Sequence, residues 1–193
     1  MRKAAVIIDS RSKKELKETI NRHMDYLPTW DLVHIGDTKF EVMQEYQMYM
    51  MTHNFWKRLE KYDKVLIFQC DTEILRLGVD EFLEYPYTYY GAPWGPNFPG
   101  KTHKNFKLSL GGNGGISLRD VQAHLKVTKN RKPRSMQYED IWFCRNLPNV
   151  APYEICKSFS VESMFELGTV CAHKIDQFLS KEECSKIRNQ YNA

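Results

Sequence analysis

The chain reads as an α/β protein built on one mixed, mostly parallel sheet flanked by helices, and three observations carry that reading. Short apolar runs alternate with stretches of helical periodicity through the first 70 or so residues, the pattern of a β-α-β-α-β half. Those runs end abruptly on polar residues: AAVII on Asp9, DLVHI on Gly36-Asp37, and VLIFQC on Asp71. Buried parallel strands end in this way, and the carboxyl ends of such strands are where α/β proteins build ligand sites. The third is bulk composition: 193 residues, 42% hydrophobic and 27% charged, are enough for a full core and fit one domain over 1–193.

Taken in order, residues 4–8 form a β-branched first strand. Leu16, Ile20, Met24 and Leu27 fall at helical spacing, so 13–27 is an amphipathic helix that Pro28 ends. Residues 31–35 are a second strand. The longest helical candidate is 41–62, with a possible break near 52–54. The third strand is 65–70, and a short helix follows at 79–83. YTYY at 87–90 fits another strand, and 95–107 is an aperiodic loop rich in Gly, Pro, Asn and Lys. A glycine-dense segment at 108–119 leads into a helix at 119–127, then a basic loop at 128–137 and a helix at 138–147. One or two strands are expected within 150–161. A terminal helix at 180–191 opens on a capping box, Ser180 and Glu183.

Net charge is +4, which suits an anionic small ligand as well as nucleic acid. The one dense basic patch, KNRKPR at 129–134, reads as a solvated loop, so no nucleic-acid partner is expected. Five cysteines without CxxC spacing argue against a disulfide framework or a structural zinc, and point to a reducing, cytoplasmic setting. The first apolar run is too short for a signal peptide, and no segment is long enough to span a membrane.

Four constellations carry possible chemistry. Asp71, in QCDTE, is either a cation ligand or a cap, and both readings are open at this point. Gly111-Gly112-Asn113-Gly114-Gly115 allows close backbone approach but matches neither GK[ST] nor a helix-opening GxGxxG. Glu139-Asp140 suits a helix first turn electrostatically and also suits a general base. His173 matters only if a late metal ligand is needed.

Together FQCD (68–71), YYGAPW (89–94), GNGGISLR (112–119), EDIWF (139–143), FSVE (159–162) and His173, in that order, resemble the DUF5672 family. This is a group of proposed glycosyltransferases related to GT-A enzymes, found in bacteria, fungi and large DNA viruses. The resemblance implies a single-domain GT-A-like fold: a nucleotide-binding half over about 1–90, a donor-sugar and acceptor half over about 91–180, and the terminal helix at 180–193. It implies a metal-dependent, inverting transfer of sugar from a nucleoside diphosphate sugar, with UDP the default, to a glycan or other hydroxyl acceptor. Asp71 matches the metal-binding acid of the DxD motif and His173 its late partner, for Mn²⁺ or Mg²⁺. The first acid of that motif is replaced by Gln69, left as a ribose contact. Asp9 and Arg11 match the base and ribose grip; Asn113, Gly114 and Gly115 line the donor sugar. Asp140 is implied as the base, Glu139 as a sugar or acceptor contact, and Trp94 as either a sugar platform or a core anchor. The competing readings are a degenerate nucleotide- or glycan-binding protein, a metal-dependent nucleotidyltransferase and, last, a nucleic-acid binder.

Overall fold

A computed structural model of the chain describes residues 1–95, 110–133 and 137–191. Strand β1 (Lys3–Ile8), helix α1 (Lys17–Met24), strand β2 (Asp31–Ile35), helices α2 (Met43–Met50) and α3 (His53–Lys57) and strand β3 (Lys64–Phe68) form the first half. Then come β4 (Thr72–Ile74), a 3-10 turn over Val79–Glu84, β5 (Tyr89–Ala92) and β6 (Asn113–Asp120). Helices α4 (Val121–Asn130), α5 (Glu139–Asn146) and α6 (Tyr153–Phe159) follow, with β7 (Ser160–Val161), β8 (Cys171–His173), α7 (Ile175–Phe178) and α8 (Lys181–Asn189) last.

The main sheet has the order β2-β1-β3-β6-β5. β1 pairs parallel with β2 and β3, while β6 pairs antiparallel with β3 and β5. Four of these five strands therefore point the same way and β6 runs against them, so the sheet is mixed and mostly parallel as expected. The two-residue period of the strands divides the core. Ala4, Val6, Val65, Ile67 and Tyr89 pack under α2 to α5. Ala5, Ile7, Leu66, Phe68, Tyr90 and Leu118 pack under α1, the 3-10 turn and α6.

The structure corrects several element boundaries. The helix expected over 41–62 is shorter, 43–57, and is broken where a break was expected: Thr52 turns extended and its side chain caps α3 by accepting from the Phe55 N–H. The glycine-dense segment is mostly β6 itself, a central strand, and Arg119 lies inside it rather than opening a helix. Gly111, at φ 71°, makes the turn into that strand. Residues 153–159 are helical, with Cys156 and Phe159 buried on one side, so only the two-residue β7 remains of the strands expected there. Residues 96–107 of the expected long loop and 134–136 of the basic loop lie outside the described residues.

A second, small sheet, β4-β8-β7, sets up the site. Antiparallel pairing of β4 with β8 puts Thr72 opposite His173, so residues far apart in the chain become neighbours. Val161, Ala172, Ile175, Cys184 and Ile187 close this sheet against α7 and α8. α8 opens on the expected Ser180–Glu183 capping box, and Arg188 on it pairs with Glu73 of β4 and with Asp176.

Candidate functional site

The turn after β3 is held from several directions. The Thr72 hydroxyl donates to the Gln69 carbonyl at 2.7 Å, and His23 Nε2 lies 2.8 Å from the same hydroxyl. Arg22 Nη2 donates to the carbonyls of Cys70 and Thr72 at 3.0 and 3.1 Å, and the Lys174 N–H donates to the Asp71 carbonyl at 3.0 Å. With every neighbour committed, the Asp71 side chain is aimed by the backbone rather than left to rotate with a loose loop.

Asp71 faces two basic groups. Its Oδ1 is 3.5 Å from His173 Nε2 and its Oδ2 is 3.3 Å from Lys174 Nζ. Burial alone would raise the Asp71 pKa, but His173 and Lys174 outweigh it and hold it at about 2. On the other side of the ring, His173 Nδ1 lies 2.9 Å from Glu162 Oε1. Neither ring nitrogen is aligned for a hydrogen bond, although both are buried. Burial opposes protonation of His173, and the two carboxylates overcome that and raise its pKa. Among the described residues no cluster of three or more His, Cys, Asp or Glu is arranged around a common metal position. Asp71 Oδ1 and His173 Nε2 lie 3.5 Å apart, a spacing that two ligands of one divalent cation can have, and Nε2 has no hydrogen-bond partner while Glu162 occupies the Nδ1 side.

Asp71 and Lys174 form one wall of a cavity of about 350 Å³ at the carboxyl ends of β1 and β3. Asp9, Ser10, Arg11, Gln69 and Cys70 supply its polar side; Phe40, Val42, Met43 and Tyr46 supply an apolar one. Arg11 folds onto Asp9, with Nε 3.0 Å from Oδ1 and Nη2 2.6 Å from Oδ2, and that pairing chiefly lowers the Asp9 pKa. Gln69 Nε2 donates to the Tyr46 hydroxyl at 3.3 Å. The expected nucleotide residues Asp9, Arg11 and Gln69 thus share one cavity with Asp71.

The glycine run lies next to this wall and serves it by what it lacks. A Cβ on Gly115 would sit 2.3 Å from the His173 ring, and one on Gly114 would sit 2.2 Å from Glu139 Oε1. Successive strand residues face opposite sides, so His173 and Glu139 flank β6 from its two faces. Glu139 is buried and bidentate on fully buried Arg119, at 2.8 and 2.9 Å. Its carboxylate, expected as a sugar or acceptor contact, is therefore committed to an internal ion pair. Asp140, also buried, accepts from the Gly114 N–H at 3.3 Å and the Ile141 N–H at 2.7 Å. Burial first, and the Glu139 charge second, push its pKa up to about 7. The Asn113 side-chain oxygen accepts from the Gly115 N–H at 2.7 Å. Trp94 is buried, in the manner of the core anchor.

Residues 29–178 match the model of a family described as a protein of unknown function, DUF5672. The chain belongs to the DUF5672 family. None of the curated proteins matches it. Among solved structures it is similar to a glycosyltransferase involved in the glycosylation of the major capsid of PBCV-1: TM-score 0.55, 12% identity, 98% of this chain and 100% of that chain covered. A second likeness, to A197 from STIV, has a TM-score of 0.44 at 11% identity over 75% of this chain and 77% of that one. The first of these is a likeness of fold, and it agrees with the expected α/β architecture of one mixed, mostly parallel sheet flanked by helices.

Sequence reading missed four residues that the DUF5672 fold brings to the site: Tyr46, Arg119, Glu162 and Lys174. Arg119 and Glu162 sit inside quoted motifs, GNGGISLR and FSVE, each as the one charged residue of its motif, which was the available signal. Lys174 gave no such signal beyond following His173. Among the described residues no helix is long and apolar enough to cross a membrane.

Proposed function

We propose that this DUF5672 protein is a glycosyltransferase that moves a sugar from a nucleoside diphosphate sugar, UDP-linked by default, to a hydroxyl acceptor. The observation that supports this best is the cavity at the carboxyl ends of β1 and β3, apolar on one side, polar on the other, and closed by Asp71 and Lys174. An apolar wall suits a base, and the Lys174 ammonium at the far end suits a diphosphate. Asp71 and His173 would hold a Mn²⁺ or Mg²⁺ ion, which when bound offsets charge on the diphosphate. Asn113 would contact the donor sugar, beside Gly114 and Gly115, whose Cβ positions the Glu139 carboxylate and the His173 ring fill.

In the reaction, Asp140 takes the proton of the acceptor hydroxyl as that oxygen attacks the anomeric carbon. The bond from that carbon to the diphosphate oxygen breaks on the opposite side, its electron pair leaves with the nucleoside diphosphate, and configuration inverts. A base with a pKa near 7 matches this task at neutral pH. A second reading, nucleotide binding without transfer, draws support from one observation: Asp71 already has Lys174 as a partner. Incubating the protein with a panel of nucleotide sugars and Mn²⁺, and measuring release of nucleoside diphosphate by chromatography, separates the two. The transferase reading expects turnover of at least one donor, accelerated by an acceptor; binding without release from any donor favours the second reading.

A further inference from the structure

Lys174 sits at the junction of β8 and α7. It follows β8 in left-handed backbone, at φ 50°, a region that residues with a Cβ seldom occupy. Its N–H is fixed on the Asp71 carbonyl at 3.0 Å, so the backbone that is held in this conformation is tied directly to the acid. From there the side chain reaches Asp71 Oδ2 at 3.3 Å. It lines the larger cavity and also a smaller one, of about 160 Å³, bounded by Arg22, Cys70, Thr72, Glu73, Asp176 and Gln177. Lys174 thus stands at the partition between two cavities, with its ammonium against the single acid that the larger one shares with a cation site.

Charge decides what such a group does. A diphosphate needs positive charge, and a divalent cation supplies it only if acids confine the ion. Here Gln69 stands where a second acid of the motif would, Lys174 offsets Asp71, and of the cavity's other two acids Asp9 is paired with Arg11 while Glu41 lies among the apolar residues of the opposite wall. The Asp71 end of the cavity is therefore a weaker trap for a dication and a better one for an anion than a two-acid motif would make it. An ammonium is also a proven phosphate ligand, a compact charge with three donors.

We propose that Lys174 is a phosphate-binding residue: its ammonium leaves Asp71 to grip the diphosphate of the donor or product, so the site holds a nucleoside diphosphate without a divalent cation. The identity of the ligand rests on the transferase reading; the role of Lys174 rests on its own geometry. Asp71 then does two jobs. It parks the ammonium when the site is empty, and it serves the cation when one is present.

The test is calorimetric titration of the full chain with UDP, GDP and inorganic pyrophosphate, in EDTA and in Mn²⁺. Wild type should bind a nucleoside diphosphate in EDTA. Lys174→Met should weaken that binding about 10- to 100-fold, the worth of a charged hydrogen bond, and Lys174→Arg should recover most of it. Asp71→Asn gives an opposite pair of signs: tighter binding in EDTA, because the ammonium is released, and weaker binding in Mn²⁺. Thermal melts of each variant show that it is folded. The proposal is overturned if wild type binds only with Mn²⁺, or if Lys174→Met leaves the affinity in EDTA unchanged or tightens it. If no nucleoside diphosphate binds in either buffer, the transferase reading fails as well, a result distinct from failure of Lys174 alone.

Discussion

The two acids at the heart of the site, Asp71 and Asp140, are the same residue type on either side of one strand, and their surroundings drive them in opposite directions. Asp71 is half-exposed between His173 and Lys174, which hold its pKa at about 2. Asp140 is buried beside the Glu139 carboxylate, and its pKa rises to about 7. The first stays ionised down to about pH 2, and the second titrates near neutrality. In the proposed reaction one holds charge and the other moves a proton, and β6 has glycines at its contact points with His173 on one face and Glu139 on the other.

The largest effect that would sharpen this contrast is on rate. Asp140→Asn should lower transfer by ~10²–10⁴-fold while leaving donor affinity within about threefold, measured as turnover beside calorimetric donor binding. Equal loss of binding would merge the two acids into one role. Next comes the ion pair below Asp140. Glu139→Gln leaves fully buried Arg119 without its charge partner and should cost ~3–5 kcal/mol in urea unfolding. A cost below ~1 kcal/mol would free Glu139 for the acceptor role.

The third prediction is a stability signature with a worked sign. The Asp140 pKa in the folded protein, about 7, lies above its ordinary 3.8. Its contribution is fully present below pH 4 and is lost as pH rises through 7, because the unfolded chain ionises first. Asp140→Asn should therefore be more stable than wild type by up to ~4 kcal/mol above pH 7, an advantage that vanishes toward pH 4. The smallest effect belongs to Asp71, whose folded pKa lies below 3.8. Its contribution is present above pH 4 and is lost as pH falls through 2. Since 44% of its side chain is exposed, Asp71→Asn should lower stability by less than ~1 kcal/mol at neutral pH. A stabilising Asp71→Asn, or a destabilising Asp140→Asn, would break the contrast.

What was legible in the sequence follows from where the information lies. β1 and β3 read directly, because a strand buried on both faces is a continuous apolar run, and the half-buried edge strand β2 reads from its short β-branched run closed by Gly36-Asp37. β6 did not, because glycine is a poor strand former and its reasons here are tertiary: Gly114 makes room for Glu139, and Gly115 for His173. The pairing of Asp71 with His173 depends on the register of β4 against β8, and the resemblance alone suggested it. Arg119 reads as a helix start because its partner, Glu139, lies 20 residues away in the chain. Lys174 is one of 28 Lys and Arg, and only its left-handed backbone and its contact with Asp71 distinguish it.

The most direct test of the division between the two acids is a thermal-shift comparison of wild type, Asp71→Asn and Asp140→Asn against a panel of nucleotide sugars with and without Mn²⁺. A donor at ~100 times its Kd should raise the wild-type melting temperature by roughly 5–10 °C. The account predicts that Asp140→Asn keeps that shift and that Asp71→Asn loses its Mn²⁺-dependent part. No shift of wild type by any nucleotide sugar, or equal loss in both variants, would contradict it.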